Sequence, residues 1–135
     1  MIKELCNYIE ANTVYEVGVD LFAISTDPDS DIDECIVVAE PSPGLANGIL
    51  TDLRQVPLVI YSRAPMSRFT ARDNAYIIFN LLAGGMQIHL AAIGSGGAIY
   101  VCNFVCGTPY HVGLDETGRR QVYSMPLDVT VTNIL

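Results

Sequence analysis

The sequence predicts a single α+β domain in which two helices pack on a mostly antiparallel β-sheet with a protruding hairpin. The chain has 135 residues, a length typical of one domain. Apolar residues make up 50% of it, enough to bury a core without a disulfide or a metal staple. Two stretches show the apolar spacing of helices, and the remaining apolar runs are short, as in strands. We therefore treat residues 1–135 as one domain.

The N-terminal half begins with a predicted helix at residues 2–12, where apolar residues recur at the i, i+3, i+4, i+7 spacing of one buried stripe. Short apolar runs predict strands at residues 20–25 and 35–39. Residues 27–34 hold four Asp and one Pro, which favour a loop. Residues 41–49 contain Pro, Gly and Asn-Gly breakers and predict a connection.

The next two elements are a strand and a helix. Residues 57–63 are rich in strand formers and predict a strand. A helix is expected over residues 70–83, with Thr70 as its N-cap because Asp73 follows three residues later, as in a capping box. The glycine pair at 84–85 ends the helical pattern.

The C-terminal part predicts a hairpin and a final strand. Residues 86–93 and 98–105 flank a glycine-rich tip at 94–97, which indicates two strands joined by a four-residue turn. Residues 113–118 form another expected turn. Alternating Val and Thr predict that residues 122–132 close the chain as a strand.

Charge is unevenly distributed along the chain. Residues 1–52 carry 11 acids and one Lys, whereas residues 53–135 carry four acids and six Arg. The total of −8 argues against duplex nucleic acid as a tight ligand, because phosphate contacts need clustered basic residues. Residues 74–114 contain no Asp, Glu, Lys or Arg. The predicted hairpin lies within this uncharged run. It is therefore either at the centre of the domain or wedged between subunits, and we favour a position between subunits.

The composition gives no evidence of a cofactor or metal site. The four cysteines are scattered without a C-x-x-C pair, so we expect buried thiols in a reducing compartment and no zinc. Residues 29–40 match the acidic positions of a calcium loop, but Glu34 stands where the turn needs Gly. The longest low-polarity stretch, residues 90–106, is broken by Gly and Asn, so no membrane span is expected.

No catalytic constellation is evident either, and we expect no enzyme. His89 and His111 have no motif that ties them to a nucleophile or a carboxylate. Asp115 with Arg119 and Arg120 could form an acid pair with an anion clamp, but a charged turn explains this segment equally well.

Three blocks of motifs follow one another over almost the whole chain. The first runs from Gly18-Val-Asp-Leu-Phe22 to the turn at Pro43-Gly44. The second is the strand at 57–63 leading into the helix at 70–83. The third is Gly-Leu-Asp-Glu-Thr-Gly-Arg at 113–119, followed by a β-rich terminus. In order and spacing, these blocks resemble the tail terminator (minor capsid, tail completion) proteins of long-tailed bacteriophages.

The resemblance implies a structural virion protein without catalysis or cofactors. Members of that family form a ring, usually hexameric, that caps the head-proximal end of the tail tube and stops its polymerisation. The ring also offers a surface to the head-completion or stopper protein. The implied partners are therefore other copies of the chain, the tube protein and the neck, with DNA present only in transit. The implied location is the virion tail, and the host cytoplasm during assembly.

Candidate subunit-interface residues fall in three groups. Arginines surround the start of the second predicted helix, the hairpin supplies its tip and one strand, and a charged segment follows the hairpin. The residues are Arg63, Arg68, Arg72, Ser95, Ile99, Val101, Asp115, Arg119 and Arg120. Two other classes stay open: another neck or tail component, such as a head–tail adaptor or tube subunit, and a small cytoplasmic ligand-binding or enzymatic domain.

Overall fold

The fold is a single small α+β domain with two helices and a curled, mixed β-sheet, which confirms the predicted class. The computed structural model describes residues 2–23, 34–39, 45–46, 54–65, 67–115 and 118–135. Within them, the chain forms α1 (Ile2–Asn12), β1 (Leu21–Ala23), β2 (Cys35–Ala39), β3 (Leu45–Ala46), β4 (Arg54–Pro65), α2 (Arg68–Leu82), β5 (Ile88–Leu90), β6 (Tyr100–Cys106), β7 (Tyr110–Leu114) and β8 (Arg120–Ile134).

The sheet is organised around the antiparallel pair β4–β8. Their ladder runs from Arg54 opposite Val131 to Pro65 opposite Arg120, so all of β4 is paired. The strand order is β1-β2-β4-β8-β6-β5, with β3 also on β4 and β7 also on β8. Among the described pairs, β1–β2 is parallel and the others are antiparallel.

One face of the sheet carries the main core. Val56, Leu58 and Ile60 alternate along β4 and are buried, as strand geometry requires for one covered face. Helix α2 packs on this face, where the Ser62 hydroxyl donates a 2.7 Å hydrogen bond to the carbonyl oxygen of Ala71. The small side chain of Ala71 allows the close approach that this bond needs.

Helix α1 connects the two ends of the strand order. Its buried residues Leu5, Cys6 and Ile9 recur at the predicted spacing and belong to the core. The helix contacts β1, β2 and β5, and β1 and β5 are the first and last strands of the order. The sheet therefore curls toward the helices and brings its two edges near the same helix.

A second buried region lies on the opposite face of the sheet. Register places Cys35 and Val122 on that face, each beside Arg63, and both are at most 5% exposed. Along β8 the buried side switches at Ser124 and Met125, which are both buried although they are adjacent. Strand β8 thus contributes to the helix-side core in its second half and to the opposite face in its first half.

A buried ion pair holds the start of β8. The Arg120 Nε atom lies 2.5 Å from Asp115 Oδ2, and the two side chains are 1% and 2% exposed. The backbone N–H of Asp115 also donates to the carbonyl oxygen of Arg120 at 2.9 Å. The pair therefore fixes the connection between β7 and β8, and this segment is not the exposed charged turn that the sequence suggested.

Most predicted elements are present, with changed bounds. Helix α1 and strand β2 match their predicted ranges. The expected Thr70 cap is wrong, because Thr70 donates its backbone N–H to the Ser67 hydroxyl at 3.4 Å and α2 begins at Arg68. Strands β5 and β6 pair as a hairpin, but β5 has three residues, so the loop spans residues 91–99.

Strands β3 and β7 were not predicted, since they fall in segments assigned to a connection and to the approach to a turn. The acidic residues 27–33 and the breakers at 41–44 and 47–49 lie outside the described residues. The expectation of a solvated, calcium-free loop there stays a prediction.

We expect Arg120→Met to destabilise the fold by about 3–5 kcal/mol, because it leaves the Asp115 carboxylate buried without its cationic partner. Adding Asp115→Leu should recover much of the loss, since a fully apolar replacement leaves no buried charge. Urea unfolding measures both values. Arg72→Met, which removes the exposed pair with Asp73, is the matched control and should change stability by less than about 1 kcal/mol. Equal losses of stability in Arg120→Met and Arg72→Met would show that the buried pair contributes no more than the exposed pair.

Candidate interaction surfaces

Polar chemistry does not define a site in the part of the chain that the structure describes. No group of three or more His, Cys, Asp or Glu residues there could hold a metal ion. His89 is exposed on β5, whereas the exposed His111 on β7 lies 2.8 Å from the Gln121 side-chain oxygen. The two histidines thus lie on separate strands. Neither described helix is long and apolar enough to cross a membrane.

Exposed apolar side chains are the most prominent surface feature. Among the described residues, 13 large apolar side chains are at least 40% exposed, and seven of these come from the uncharged run at 74–114. The seven are Ile77, Met86, Ile93, Val105, Tyr110, Val112 and Leu114. They belong to α2, β6, β7 and the segments on either side of β5, and where such side chains are contiguous they usually mark a surface that other protein covers.

Strand β7 concentrates three of these side chains on an open edge. Tyr110, Val112 and Leu114 are 55–57% exposed, and β7 pairs only with β8 among the described strands. A bulge between His111 and Gly113, where Gly113 has a φ of 126°, interrupts the regular pairing of this edge strand. No charged side chain guards the strand, although charges commonly protect exposed edges.

A basic surface surrounds the first turn of α2. The guanidinium carbons of Arg68 and Arg72 lie 5.3 and 5.0 Å from the ring centroid of Phe69, which is itself 53% exposed. Arg72 also forms an exposed 3.3 Å ion pair with Asp73. We call Arg68, Phe69 and Arg72 the Phe69 cluster. An aromatic ring between two arginines has the composition of an interface anchor.

Arg63 is not part of this cluster. It lies on β4 opposite Cys35, on the face turned away from α2, and its guanidinium stacks 5.6 Å from the Tyr61 ring centroid. The structure therefore brings together two of the three predicted arginines and separates the third.

The predicted hairpin residues also divide. Ser95 is exposed in the 91–99 loop between Gly94 and Gly96, whose φ angles are 71° and 86°. Ile99 exchanges two backbone hydrogen bonds with Leu135, at 2.8 and 3.2 Å, and Val101 is only 9% exposed. Only Ser95 of these three is a free surface residue.

The remaining group divides in the same way. Asp115 and Arg120 bury their side chains against each other. Arg119 is exposed and donates its backbone N–H to Asp115 Oδ1 at 3.4 Å. A buried pair cannot contact another subunit directly, so we do not carry Asp115 and Arg120 into the interface proposal.

An acidic and apolar turn, which the sequence reasoning missed, follows α1. Val14, Val17 and Val19 are 86%, 40% and 57% exposed. The Glu10 carboxylate accepts the backbone N–H of Val17 at 2.6 Å, so an exposed acid lies directly beside the turn. The signal was the alternation of exposed Val with acids, in a segment short enough to pass as a linker. We call residues 13–20 the Val17 turn.

The Val17 turn borders a cavity of about 310 Å³, lined chiefly by apolar side chains. The cavity lies between α1, β1 and the 91–99 loop, where the curled sheet brings its edges near one helix. Its lining includes Lys3, Cys6, Val17, Leu21, Phe22 and Ile93. We call it the seam cavity. Its volume is at the small end of ligand pockets, which span roughly 300–1,000 Å³.

Burial suppresses the acidity of the described thiols. It raises the pKa of Cys6 to about 12, and the pKa values of Cys35 and Cys106 to about 11. Burial also raises the pKa of Tyr15 to about 12, with nearby carboxylates adding to the effect. Since the thiolate is the nucleophilic form, a raised pKa lowers the nucleophilicity of these three cysteines near neutral pH.

The chain matches no protein-family model. No curated protein and no solved structure matches it significantly either.

We expect the free energy of unfolding to fall as the pH rises from about 9 to about 12. The pKa values of Cys6, Cys35 and Tyr15 are higher in the folded state than their ordinary values of 9.0 and 10.0. Their neutral forms therefore favour folding below the unfolded pKa, and this contribution is lost as the pH approaches the folded pKa. Denaturant unfolding across this range measures the slope, and Cys6→Ala should flatten it. If Cys6→Ala leaves the pH dependence of the free energy of unfolding unchanged, ionisation of the Cys6 thiol does not cause the loss of stability.

Proposed function

We propose that this protein is a phage tail terminator, a structural virion protein that forms a ring on the tail tube, stops tube polymerisation and joins the tube to the neck. One observation carries the proposal: the uncharged run at 74–114 exposes seven large apolar side chains. Three of the seven lie on the open edge strand β7, where no charged side chain guards the edge, and such an edge needs protein to cover it. The motif order of the sequence supports the particular assignment.

A ring built from identical subunits needs two different, complementary surfaces on each subunit. The chain supplies surfaces of opposite character, a basic one at the Phe69 cluster and an acidic one at the Val17 turn. We propose a hexamer that contacts the tail tube protein on one side and the head-completion or stopper protein on the other. The acidic total would let DNA pass through its lumen without sticking.

The hairpin loop belongs to the same proposal. Its exposed tip at Ser95 is uncharged and flanked by glycines in the left-handed region. We propose that this hairpin protrudes from the subunit, where its tip crosses a subunit boundary or contacts the tube or the neck. Glycines permit a close backbone approach there.

A second candidate is supported by the seam cavity. An apolar cavity of about 310 Å³ suits a small ligand, which would make the chain a ligand-binding domain. A head–tail adaptor or a tube subunit would use the same exposed apolar surfaces, so only assembly behaviour distinguishes these from a terminator.

The test is to add the purified protein to polymerising tube protein and to measure tube length by electron microscopy, with sedimentation of the protein alone. A terminator gives a discrete ring and capped tubes of limited length. A tube subunit gives filaments on its own. A protein that stays monomeric and leaves tube growth unlimited would refute the proposal, and would favour the ligand-binding alternative.

Reversing the charges of Arg68 and Arg72 to Glu should leave the monomer folded but weaken ring formation at least about tenfold, because both arginines are exposed and would face a neighbour's acids. The wild-type ring should also loosen at high salt. Asn80→Glu adds a negative charge on the same helix away from the cluster and should assemble normally. Arg63, the third predicted interface arginine, lies on the opposite face of the sheet, so Arg63→Glu is made as a separate variant that tests that face. Intact rings from the charge-reversed proteins would refute the role of these arginines.

Ser95→Trp should leave the isolated fold intact, because Ser95 is exposed in a loop where bulk is tolerated. It should nevertheless block assembly or give tails of uncontrolled length, since a buried interface has no space for the indole. Ser95→Ala is the control and should assemble normally. Thermal unfolding of the monomer and tail length by electron microscopy measure the two effects. Normal tails with Ser95→Trp would show that the tip is a solvent loop.

A further inference from the structure

We propose that the Phe69 cluster of one copy of this chain docks into the seam cavity of a second copy, with its two guanidinium groups facing the acids beside that cavity. The contact would form the boundary between neighbouring subunits of the ring, so it rests on the proposed function. It goes further, because it names the anchor residue, the cavity that receives it and the charges that align the two.

The apolar part of the argument concerns Phe69. Its ring is 53% exposed on a helix whose other large apolar side chains mostly face the core. A single aromatic side chain is the kind of group that a small apolar cavity holds well. The seam cavity is walled by Val17, Leu21 and Ile93, and Ile93 is itself 44% exposed at its mouth. Docking would cover apolar surface on both copies.

The electrostatic part of the argument concerns the charged residues beside Phe69 and beside the seam cavity. The guanidinium groups of Arg68 and Arg72 both lie close to the Phe69 ring centroid, at 5.3 and 5.0 Å. Beside the cavity, the Glu10 carboxylate accepts a hydrogen bond from the backbone N–H of Val17, and Glu16 is exposed in the same turn. Guanidinium groups pair well with carboxylates, and interfacial charges of opposite sign steer association and set its register.

Two neighbouring charges oppose this arrangement and set its limits. Asp73 already pairs with Arg72, but that pair is exposed and therefore weak enough to exchange partners. Lys3 lines the cavity and repels incoming arginines. We expect Lys3→Ala to strengthen self-association, a result that a purely apolar contact would not produce.

The Phe69 cluster and the seam cavity share no residue, so one copy can place its cluster in a second copy while its own cavity receives the cluster of a third. In this head-to-tail arrangement each dimer keeps one free cluster and one free cavity, so association continues until a ring closes. A reciprocal two-fold dimer would stop at two copies, and the mass of the wild-type assembly distinguishes the two arrangements.

The experiment uses two variants of the full chain, each with one surface disabled. Phe69→Glu removes the anchor and keeps the cavity, while Val17→Arg blocks the cavity mouth and keeps the anchor. Asn80→Glu on the same helix and Val14→Ala in the same turn are controls, since both positions are exposed, neither lines the cavity or belongs to the Phe69 cluster, and Val14→Ala adds no charge to the acidic turn. Ile93→Arg replaces Val17→Arg if thermal unfolding shows that the latter is misfolded. Sedimentation velocity at about 0.1 M salt, where the long-range repulsion is screened, gives the mass of each protein and of mixtures.

We expect each disabled variant to self-associate at least about 30-fold more weakly than wild type, as for an interface anchor. Mixed in equal amounts, the two should form a dimer and nothing larger, because one intact anchor meets one intact cavity. Both controls should behave like wild type.

Other outcomes overturn the inference. Wild-type behaviour of either disabled variant would place the contact elsewhere, and a mixture that stays monomeric would exclude this pair of surfaces. A wild-type chain that is monomeric at millimolar concentration would also overturn it. The proposed function is judged separately by control of tube length, so rings formed through another surface would leave that function standing.

Discussion

The ladder between β4 and β8 is the constraint on which the other elements depend. It pairs all 12 residues of β4, while β2 and β3 add to β4 and β6 and β7 add to β8. Helix α2 packs against both central strands. A slip of one residue in this ladder would turn Leu58 and Ile60 away from the helices and empty the core. The core pattern therefore fixes the register, and the register places every edge and surface.

The molecule has an exposed edge at β7 because β7 pairs with the first half of β8 and with no other described strand. The second half of β8 is bordered by β6, which β5 then covers, whereas the first half is bordered by β7 alone among the described strands. The buried Arg120–Asp115 pair anchors the connection that returns β7 to β8. On a surface such an ion pair would contribute little to stability. Here it is buried and holds β7, the uncharged edge strand, beside the start of β8.

Local patterns were sufficient to predict the helices and the longer strands, because apolar spacing decides which residues a single element buries. Strand β7 could not be predicted from its sequence, since Gly113 interrupts its pattern and only pairing with β8 makes it a strand. The burial of Arg120 was equally inaccessible, as it depends on packing between distant segments. The split between Arg63 and the Phe69 cluster likewise follows from the register of β4, because neighbouring positions in sequence lie on opposite faces of the sheet.

Assembly of such a subunit has to balance two electrostatic effects of opposite sign. The net charge of −8 makes whole subunits repel each other and keeps exposed apolar surface from associating at random. Local pairing of arginines with carboxylates acts over a few ångströms and favours one orientation. Salt screens the long-range repulsion first, because charges more than about 10 Å apart are largely screened at 0.1 M ionic strength. Moderate salt therefore favours the oriented contact, whereas high salt weakens that contact as well. A subunit with few charges, segregated into an acidic and a basic surface, can remain dispersed until a matching surface is presented.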